Sequence, residues 1–145
     1  MTATDAIRAV EEMCRIGLYG VDFMQSLKPE RIASACNGIG PEAWPKEMRE
    51  RLDKWLATFR LAADVHDCRF TFDNNGTREK FDYANDELEK NCKILADEKY
   101  SWWNPRRYFA RNAAHLVGDA CRSVFGWKAY GDAYFKKTTT KEQTR

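Results

Sequence analysis

Apolar residues recur at intervals of three and four along most of the chain, and this spacing predicts an all-α fold. One such row indicates a long helix that begins at Pro45 and ends near Phe72. Its members are Met48, Leu52, Trp55, Phe59, Ala62, His66 and Phe70. A second row indicates a helix capped by Thr77, with members Phe81, Asn85, Leu88, Cys92 and Leu95. Because only a turn at residues 73–76 joins the two, we expect two long antiparallel central helices.

Shorter helices are predicted before this central pair. Thr4 is placed to cap a first helix, and Gly17 and Gly20 mark its end. A second helical piece spans residues 22–35 and restarts at Pro29, because proline suits the first turn of a helix.

A basic helix is predicted after the central pair. Asn104 followed by proline is a strong helix start, and we expect this helix to run to Phe125 and to end at Gly126. Its predicted inward residues are Phe109, Ala113, Leu116, Ala120 and Val124. One more short helix would cover residues 127–135. Since no segment alternates as a β-strand does, the prediction is a single helical domain at 1–137 and a polar, flexible tail at 138–145.

Charge is distributed unevenly along the chain. The net charge is only +2, but residues 99–145 contain ten Lys/Arg and three Asp/Glu. Aromatic residues such as Trp102 and Trp103 lie among these basic residues. A basic and aromatic surface suits the phospholipid membrane surface, or nucleic acid through Arg106, Arg107, Arg111 and Arg122. A solvated helix face explains the same composition, and we regard nucleic acid as the less favoured partner.

The cysteines and the N-terminus bear on the compartment. Five scattered cysteines without a CxxC motif favour reduced thiols in a helical core over a zinc site, and one bridge between neighbouring helices remains open. No apolar run reaches the length of about 18 residues that a transmembrane helix needs. The N-terminus lacks the pattern of a signal peptide. We therefore expect a protein that is cytoplasmic in the producing cell, or is released by lysis or carried in a virion.

His66 and Asp67 are the residues best suited to chemistry. The helical row places His66 on the inward face, and Asp67 lies about 100° around the same helix. An inward, neutral imidazole acts as a general base when a second group orients it. Antiparallel packing can bring either Asn85 or Asp86 to that position. A core histidine that merely satisfies its hydrogen bonds explains the same pattern.

A glycine-rich segment lies upstream of the histidine. Gly38 and Gly40 precede Pro41, and this combination indicates a shaped loop. One interpretation is a helix C-cap followed by a turn. The other is a loop whose carbonyl groups converge on one point. Calcium binds carboxylate and carbonyl oxygens, so such a loop and Asp67 would together suit Ca²⁺ that polarises an ester carbonyl.

Residues 36–92 resemble the phospholipase A2 superfamily, particularly its short phage, prophage and bacterial members. Three features carry the resemblance, in the same order along the chain. Residues 36–45, which contain Gly38 and Gly40, resemble the glycine-rich calcium loop; His66-Asp67 resembles the catalytic helix pair; and residues 81–88 resemble the partner helix. The span of the resemblance, residues 36–92, is about two-fifths of the chain.

The resemblance implies a calcium-dependent hydrolase of phospholipids. It implies that His66 activates a water for attack on the sn-2 ester and that Asn85 or Asp86 orients His66. It also implies that Asp67 binds calcium together with carbonyls near Cys36, Gly38 and Gly40.

Two positions depart from the family pattern. Phe70 stands where a tyrosine is usual, and Asn85 stands where the orienting aspartate aligns. These departures motivate an alternative, a catalytically inactive, phage-derived helical module that binds or inhibits another protein. A nucleic-acid binder that uses the basic C-terminal helix is the third interpretation.

Overall fold

A computed structural model describes residues 1–36 and 46–142, and every regular element in this part of the chain is an α-helix. The helices are α1 (Ala3–Ile16), α2 (Val21–Gln25), α3 (Pro29–Ala35), α4 (Lys46–Phe72), α5 (Arg78–Lys99), α6 (Pro105–Arg122) and α7 (Val124–Glu142). This confirms the predicted all-α fold. Among these helices, none has both the length and the apolar character needed to cross a bilayer.

Helices α4 and α5 are the antiparallel central pair that the sequence predicts. Lys80 near the start of α5 contacts Asp73 at the end of α4, whereas Lys99 at the end of α5 contacts Thr58 two-fifths of the way along α4. The predicted inward row of α5, from Phe81 to Leu95, is buried throughout. On α4, the row is buried at Phe59 and Ala62.

Side-chain hydrogen bonds to backbone N–H groups show which residues cap the helices. Thr2, rather than the predicted Thr4, caps α1, because Thr2 and Asp5 bond each other reciprocally in a capping box. Helix α1 ends at Gly17, whose φ of 79° is the left-handed conformation that glycine adopts most readily. The predicted caps of α5 and α6 are confirmed, since the side chains of Thr77 and Asn104 accept from backbone N–H groups.

Helix α6 buries only part of the predicted inward row. Ala113 and Ala120 are buried as predicted, whereas Phe109, Leu116 and Val124 are exposed. The buried face consists mainly of small residues: Ala110, Ala113, Ala114, Val117, Gly118, Ala120 and Cys121. Small side chains allow close approach of two helices, so α6 packs on α5 through this face and directs its large apolar side chains outward.

The C-terminal region also differs from the prediction. Helix α6 ends at Arg122, and Gly126 lies inside α7 rather than terminating α6. Helix α7 continues to Glu142, so residues 138–142 of the predicted flexible tail are helical. The hydroxyls of Thr138 and Thr139 both donate to the carbonyl of Phe135, in the turn that precedes them. Residues 143–145 lie outside the described residues.

Candidate functional site

The site is built around His66, which faces α5 from the final third of α4. The Nε2 atom of His66 lies 2.9 Å from the Oδ1 atom of Asn85. Asn85 is fully buried, and its amide nitrogen donates to the carbonyl of Phe81 at 2.9 Å. Because the amide nitrogen is engaged in this way, its oxygen faces the imidazole and accepts from the Nε2–H group. The proton of neutral His66 therefore resides on Nε2, and Nδ1 retains its lone pair.

The Nδ1 side of His66 faces Asp67. The Oδ1 atom of Asp67 lies 4.0 Å from Nδ1, and the His66 side chain is 11% exposed. Burial lowers the pKa of His66 to about 4, and the bond to Asn85 opposes this shift only in part. The imidazole is therefore neutral at physiological pH and able to accept a proton at Nδ1.

Aromatic rings fix the position of the imidazole. The centroid of the Phe70 ring lies 4.0 Å from that of His66. Phe70 in turn packs edge-on against Tyr130 of α7, with centroids 4.9 Å apart, and lies beside Phe81. Tyr130 is 1% exposed, so α7 closes the site from behind. The sequence carries no signal for this contact, because Tyr130 is far from His66 along the chain.

Asp67 is crowded by a second carboxyl group, that of Asp64. The pKa of Asp67 is raised to about 8, mainly by burial and further by the nearby Asp64 carboxylate. Burial also raises the pKa of Asp64, which is 5% exposed. The Oδ2 atom of Asp64 has no hydrogen-bond partner among the described residues. A buried carboxylate is unfavourable without compensation. Arg60 and the Cys36 thiol offset part of this cost at Asp64, and a cation beside Asp64 and Asp67 would offset more.

The oxygen donors in this region suit a hard cation such as Ca²⁺, but they are too few to hold it alone. Among the residues that the structure describes, no group of three or more His, Cys, Asp or Glu side chains is arranged as a metal site. Gly38 and Gly40, the two predicted carbonyl ligands, lie outside the described residues. Asp67 and the unpaired oxygen of Asp64 match the ligand chemistry of calcium, and full coordination requires further oxygens.

Cys36 connects the start of the glycine-rich segment to α4. Its Sγ atom lies 3.5 Å from the backbone oxygen of Asp64 and 3.8 Å from the Sγ atom of Cys68. The contact with Cys68, then burial and nearby acids, raises the pKa of the Cys36 thiol far above its ordinary value. Residue 36 is therefore anchored to the turn of α4 that bears Asp64 and Asp67.

Asp86 does not reach His66. Its side chain is 57% exposed and forms an ion pair of 2.6 Å with Nη2 of Arg122. Asn85 and Asp86 are adjacent, so they lie about 100° apart around α5, and only Asn85 faces α4. Of the two orienting residues that the sequence left open, the structure brings Asn85 to the imidazole.

The basic side chains of α6 are largely engaged by acids of α5. Arg107 and Arg111 both pair with Asp97, and Arg122 pairs with Asp86 and Glu89. Three of the four arginines that suggested nucleic-acid binding thus have their charge neutralised locally. This arrangement leaves less positive charge for a phosphate backbone.

A row of exposed apolar residues follows the turn before α6 and the outer face of that helix. We call it the α6 surface; its members are Trp102, Trp103, Tyr108, Phe109 and Leu116. Trp102 is 83% exposed. Exposed aromatic side chains are thus concentrated around the start of α6, and Tyr108 and Phe109 contact each other with ring centroids 5.8 Å apart.

The comparisons with known proteins identify no relative. No protein-family model matches the chain, and neither the curated proteins nor the solved structures contain a significant match. Inference about function therefore depends on the site itself: a buried, neutral His66 oriented by Asn85, beside the crowded acids Asp67 and Asp64.

Proposed function

We propose that this protein is a calcium-dependent, phospholipase A2-like hydrolase that cleaves the sn-2 ester of phospholipids. The observation that carries the proposal is the hydrogen bond between Nε2 of His66 and Asn85, with Nδ1 directed towards Asp67. This geometry gives a histidine one oriented nitrogen and one basic nitrogen, as general-base catalysis requires.

Each described residue then has one role. His66 removes a proton from a water molecule through Nδ1, and the water oxygen attacks the ester carbonyl. Asn85 holds the ring by accepting from Nε2–H, and Phe70 limits the tilt of the ring. Asp67, the nearest carboxylate to Nδ1, and Asp64 supply oxygens for a cation. Calcium, when bound, supplies the positive charge that polarises the carbonyl and stabilises the oxyanion.

The α6 surface supports a lipid interface as the place of action. Tryptophan and tyrosine favour the boundary between lipid head groups and acyl chains, where an apolar ring and a polar edge are both satisfied. The C-terminal end of α6 also approaches the site: after burial, the nearby Asp67 carboxylate raises the pKa of the Cys121 thiol. Trp102 and Trp103 precede the opposite, N-terminal end of α6, so they would anchor the protein to the membrane at a distance from His66.

Release of the sn-2 fatty acid from phosphatidylglycerol vesicles tests the proposed chemistry. His66→Gln is the informative variant, because its amide can still donate to Asn85 but cannot act as a base. We expect activity with calcium in the wild type, none with a chelator, and a loss of at least about 100-fold in His66→Gln. The matched control is His115→Gln, which changes the chain's other histidine, 57% exposed on α6. Equal activity in His66→Gln and the wild type would contradict the proposal.

Vesicle sedimentation tests the membrane partner separately. The double substitution Trp102→Ala and Trp103→Ala should weaken binding about tenfold or more, because both indoles are exposed. Phe135→Ala is the control, since Phe135 is 68% exposed and its neighbour Tyr134 lies by Gly76, next to the opposite end of α5. A helix of 22 residues separates the two places by about 33 Å. Equal weakening by both variants would contradict docking through the α6 surface.

A non-catalytic module is the second candidate, and the amide of Asn85 favours it. An amide orients an imidazole but stabilises an imidazolium less than a carboxylate does. On this alternative the helical scaffold binds or inhibits another protein and does not turn over lipid. Calcium binding that is abolished in Asp67→Ala, without hydrolysis by the wild type, would favour the module over the enzyme.

A further inference from the structure

Two buried thiols lie next to each other where the glycine-rich segment begins. The Sγ atoms of Cys36 and Cys68 are 3.8 Å apart, although 32 positions separate the two residues along the chain. Cys36 is 3% exposed and Cys68 is fully buried. Cys36 is the C-cap residue of α3, and Cys68 lies in α4.

The geometry is close to that of a disulfide. A disulfide needs sulfur atoms about 2.0 Å apart, so the two sulfurs must approach by less than about 2 Å. Cys36 lies beyond the last residue of α3, with φ −87° and ψ 53°, so its backbone is outside the regular helix. Closing the gap requires rotation of the cysteine side chains or adjustment at this cap, whose N–H group is bonded to the carbonyl of Ile32.

We propose that Cys36 and Cys68 form a disulfide when the protein meets a small-molecule disulfide such as oxidised glutathione. Both sulfurs are buried and the pKa of the Cys36 thiol is raised, so a local opening at the Cys36 cap first exposes one thiol to water, where it loses its proton. This thiolate attacks the glutathione disulfide, and one glutathione thiol leaves. The second cysteine thiolate then attacks the protein sulfur of the mixed disulfide and displaces the second glutathione thiol. The two cysteine thiols lose two protons and two electrons, and oxidised glutathione gains them as two thiols.

This bond would affect the segment next to it. Residues 37–45, which include Gly38 and Gly40, follow Cys36 directly, and Cys68 is adjacent to Asp67. The disulfide would therefore tie the start of this segment to the helix that carries the proposed catalytic pair. If the proposed function holds, the disulfide keeps Cys36, one of the proposed sources of calcium-binding carbonyls, beside Asp67, and oxidised protein should bind calcium more tightly.

Thiol counting on the full chain tests the bond without reference to calcium or hydrolysis. The chain has five cysteines, so denatured protein should react as five thiols after reduction and as three after equilibration with oxidised glutathione. Peptide mapping of the oxidised, alkylated wild type should recover one linked pair, Cys36 with Cys68. The control Cys14→Ser removes the exposed cysteine and should still lose two thiols, whereas Cys68→Ser should lose none.

The possible results separate clearly. Five thiols after oxidation, a mapped bond between other cysteines, or glutathione adducts in place of an internal bond would each overturn the proposal. Mapping uses the wild type, so misfolding of Cys68→Ser would not obscure the answer. A confirmed bond with unchanged calcium binding would remove only the consequence for calcium, and an absent bond would leave the hydrolase proposal untouched.

Discussion

The Nε2 atom of His66 lies 2.9 Å from the Oδ1 atom of Asn85, so a neutral amide occupies the place beside the imidazole. A carboxylate there would stabilise a protonated ring. We expect Asn85→Asp to raise the pKa of His66 above its value of about 4, because the protonated ring gains an ion pair. If the enzyme proposal holds, hydrolysis should rise by about tenfold, because a stronger base removes the proton more readily. NMR titration of the imidazole and fatty-acid release measure the two effects.

Asp86→Asn is the comparison for that experiment. The Asp86 carboxylate pairs with Arg122 on the surface and does not contact the imidazole. Both the pKa of His66 and the rate of hydrolysis should remain at their wild-type values. A rate that responds to Asp86 and not to Asn85 would show that the other orienting residue is the functional one.

Stability should decrease as pH falls from about 6.5 to about 4, because folding keeps His66 neutral. The unfolded chain binds a proton below pH 6.5, its ordinary pKa, whereas the folded chain binds it only near pH 4. Above pH 6.5 the neutral state of His66 makes its full contribution to the free energy of unfolding. About 3 kcal/mol of that free energy is lost as pH falls from 6.5 to 4. Urea unfolding of the wild type and of His66→Gln at several pH values separates the contribution of His66 from those of other groups. Parallel pH profiles of the two proteins would contradict the buried neutral state.

Asp67→Asn should stabilise the calcium-free protein at alkaline pH. The pKa of Asp67 is raised to about 8, so the stability of the wild type falls as pH rises from about 4 through 8. The variant avoids this loss, which we place at roughly 2 kcal/mol because the side chain is 32% exposed to screening solvent. The two proteins should have the same stability near pH 4, and the difference between them should grow up to about pH 8 and stay constant above it. Added calcium should stabilise only the wild type, and equal stabilisation of both would place the metal elsewhere.

Gly126→Ala and Gly131→Ala should have opposite effects, although both glycines lie in α7. A Cβ atom at Gly126 would lie 1.8 Å from the carbonyl oxygen of Cys121, so the backbone would have to move, at a cost of about 1–3 kcal/mol or more. A Cβ atom at Gly131 meets nothing within 4 Å. Alanine there should stabilise α7 by about 0.5–1 kcal/mol, because it restricts the unfolded chain. Thermal unfolding measures both, and destabilisation by both variants would contradict the difference in packing.

The central helices could be predicted from the sequence because their apolar rows are long and their caps are local. Thr77 and the row that begins at Phe81 fix both the start and the buried face of α5. The choice between Asn85 and Asp86 required the structure, because adjacent residues differ by about 100° around a helix and the relative rotation of α4 and α5 is a tertiary property. The contact between Phe70 and Tyr130 depends on how α7 packs against α4, and no local sequence pattern predicts that packing.

The buried face of α6 was predicted only in part, because the row of apolar residues chosen from the sequence mixed buried and exposed positions. Ala113 and Ala120 of that row are buried, whereas Phe109 and Leu116 are exposed, because the helix is rotated towards its other alanines, Ala110 and Ala114. The spacing of apolar residues shows that two faces of a helix differ. It does not show which face packs against the rest of the protein. Here close approach to α5, together with ion pairs such as that between Arg122 and Glu89, decides the rotation.

The face of α6 that packs on α5 consists mainly of small residues, so it should tolerate truncation of a side chain better than enlargement. A Cβ atom added at Gly118 would lie 3.2 Å from the Cβ atom of Glu89, and the ends of the Arg122 and Glu89 side chains would have to move aside. Alanines such as Ala114 carry no side-chain atoms beyond Cβ, so truncation removes little, whereas enlargement forces the two helices apart. We therefore expect the face of α6 that packs on α5 to accept only small side chains, and the outer face to accept a wider range.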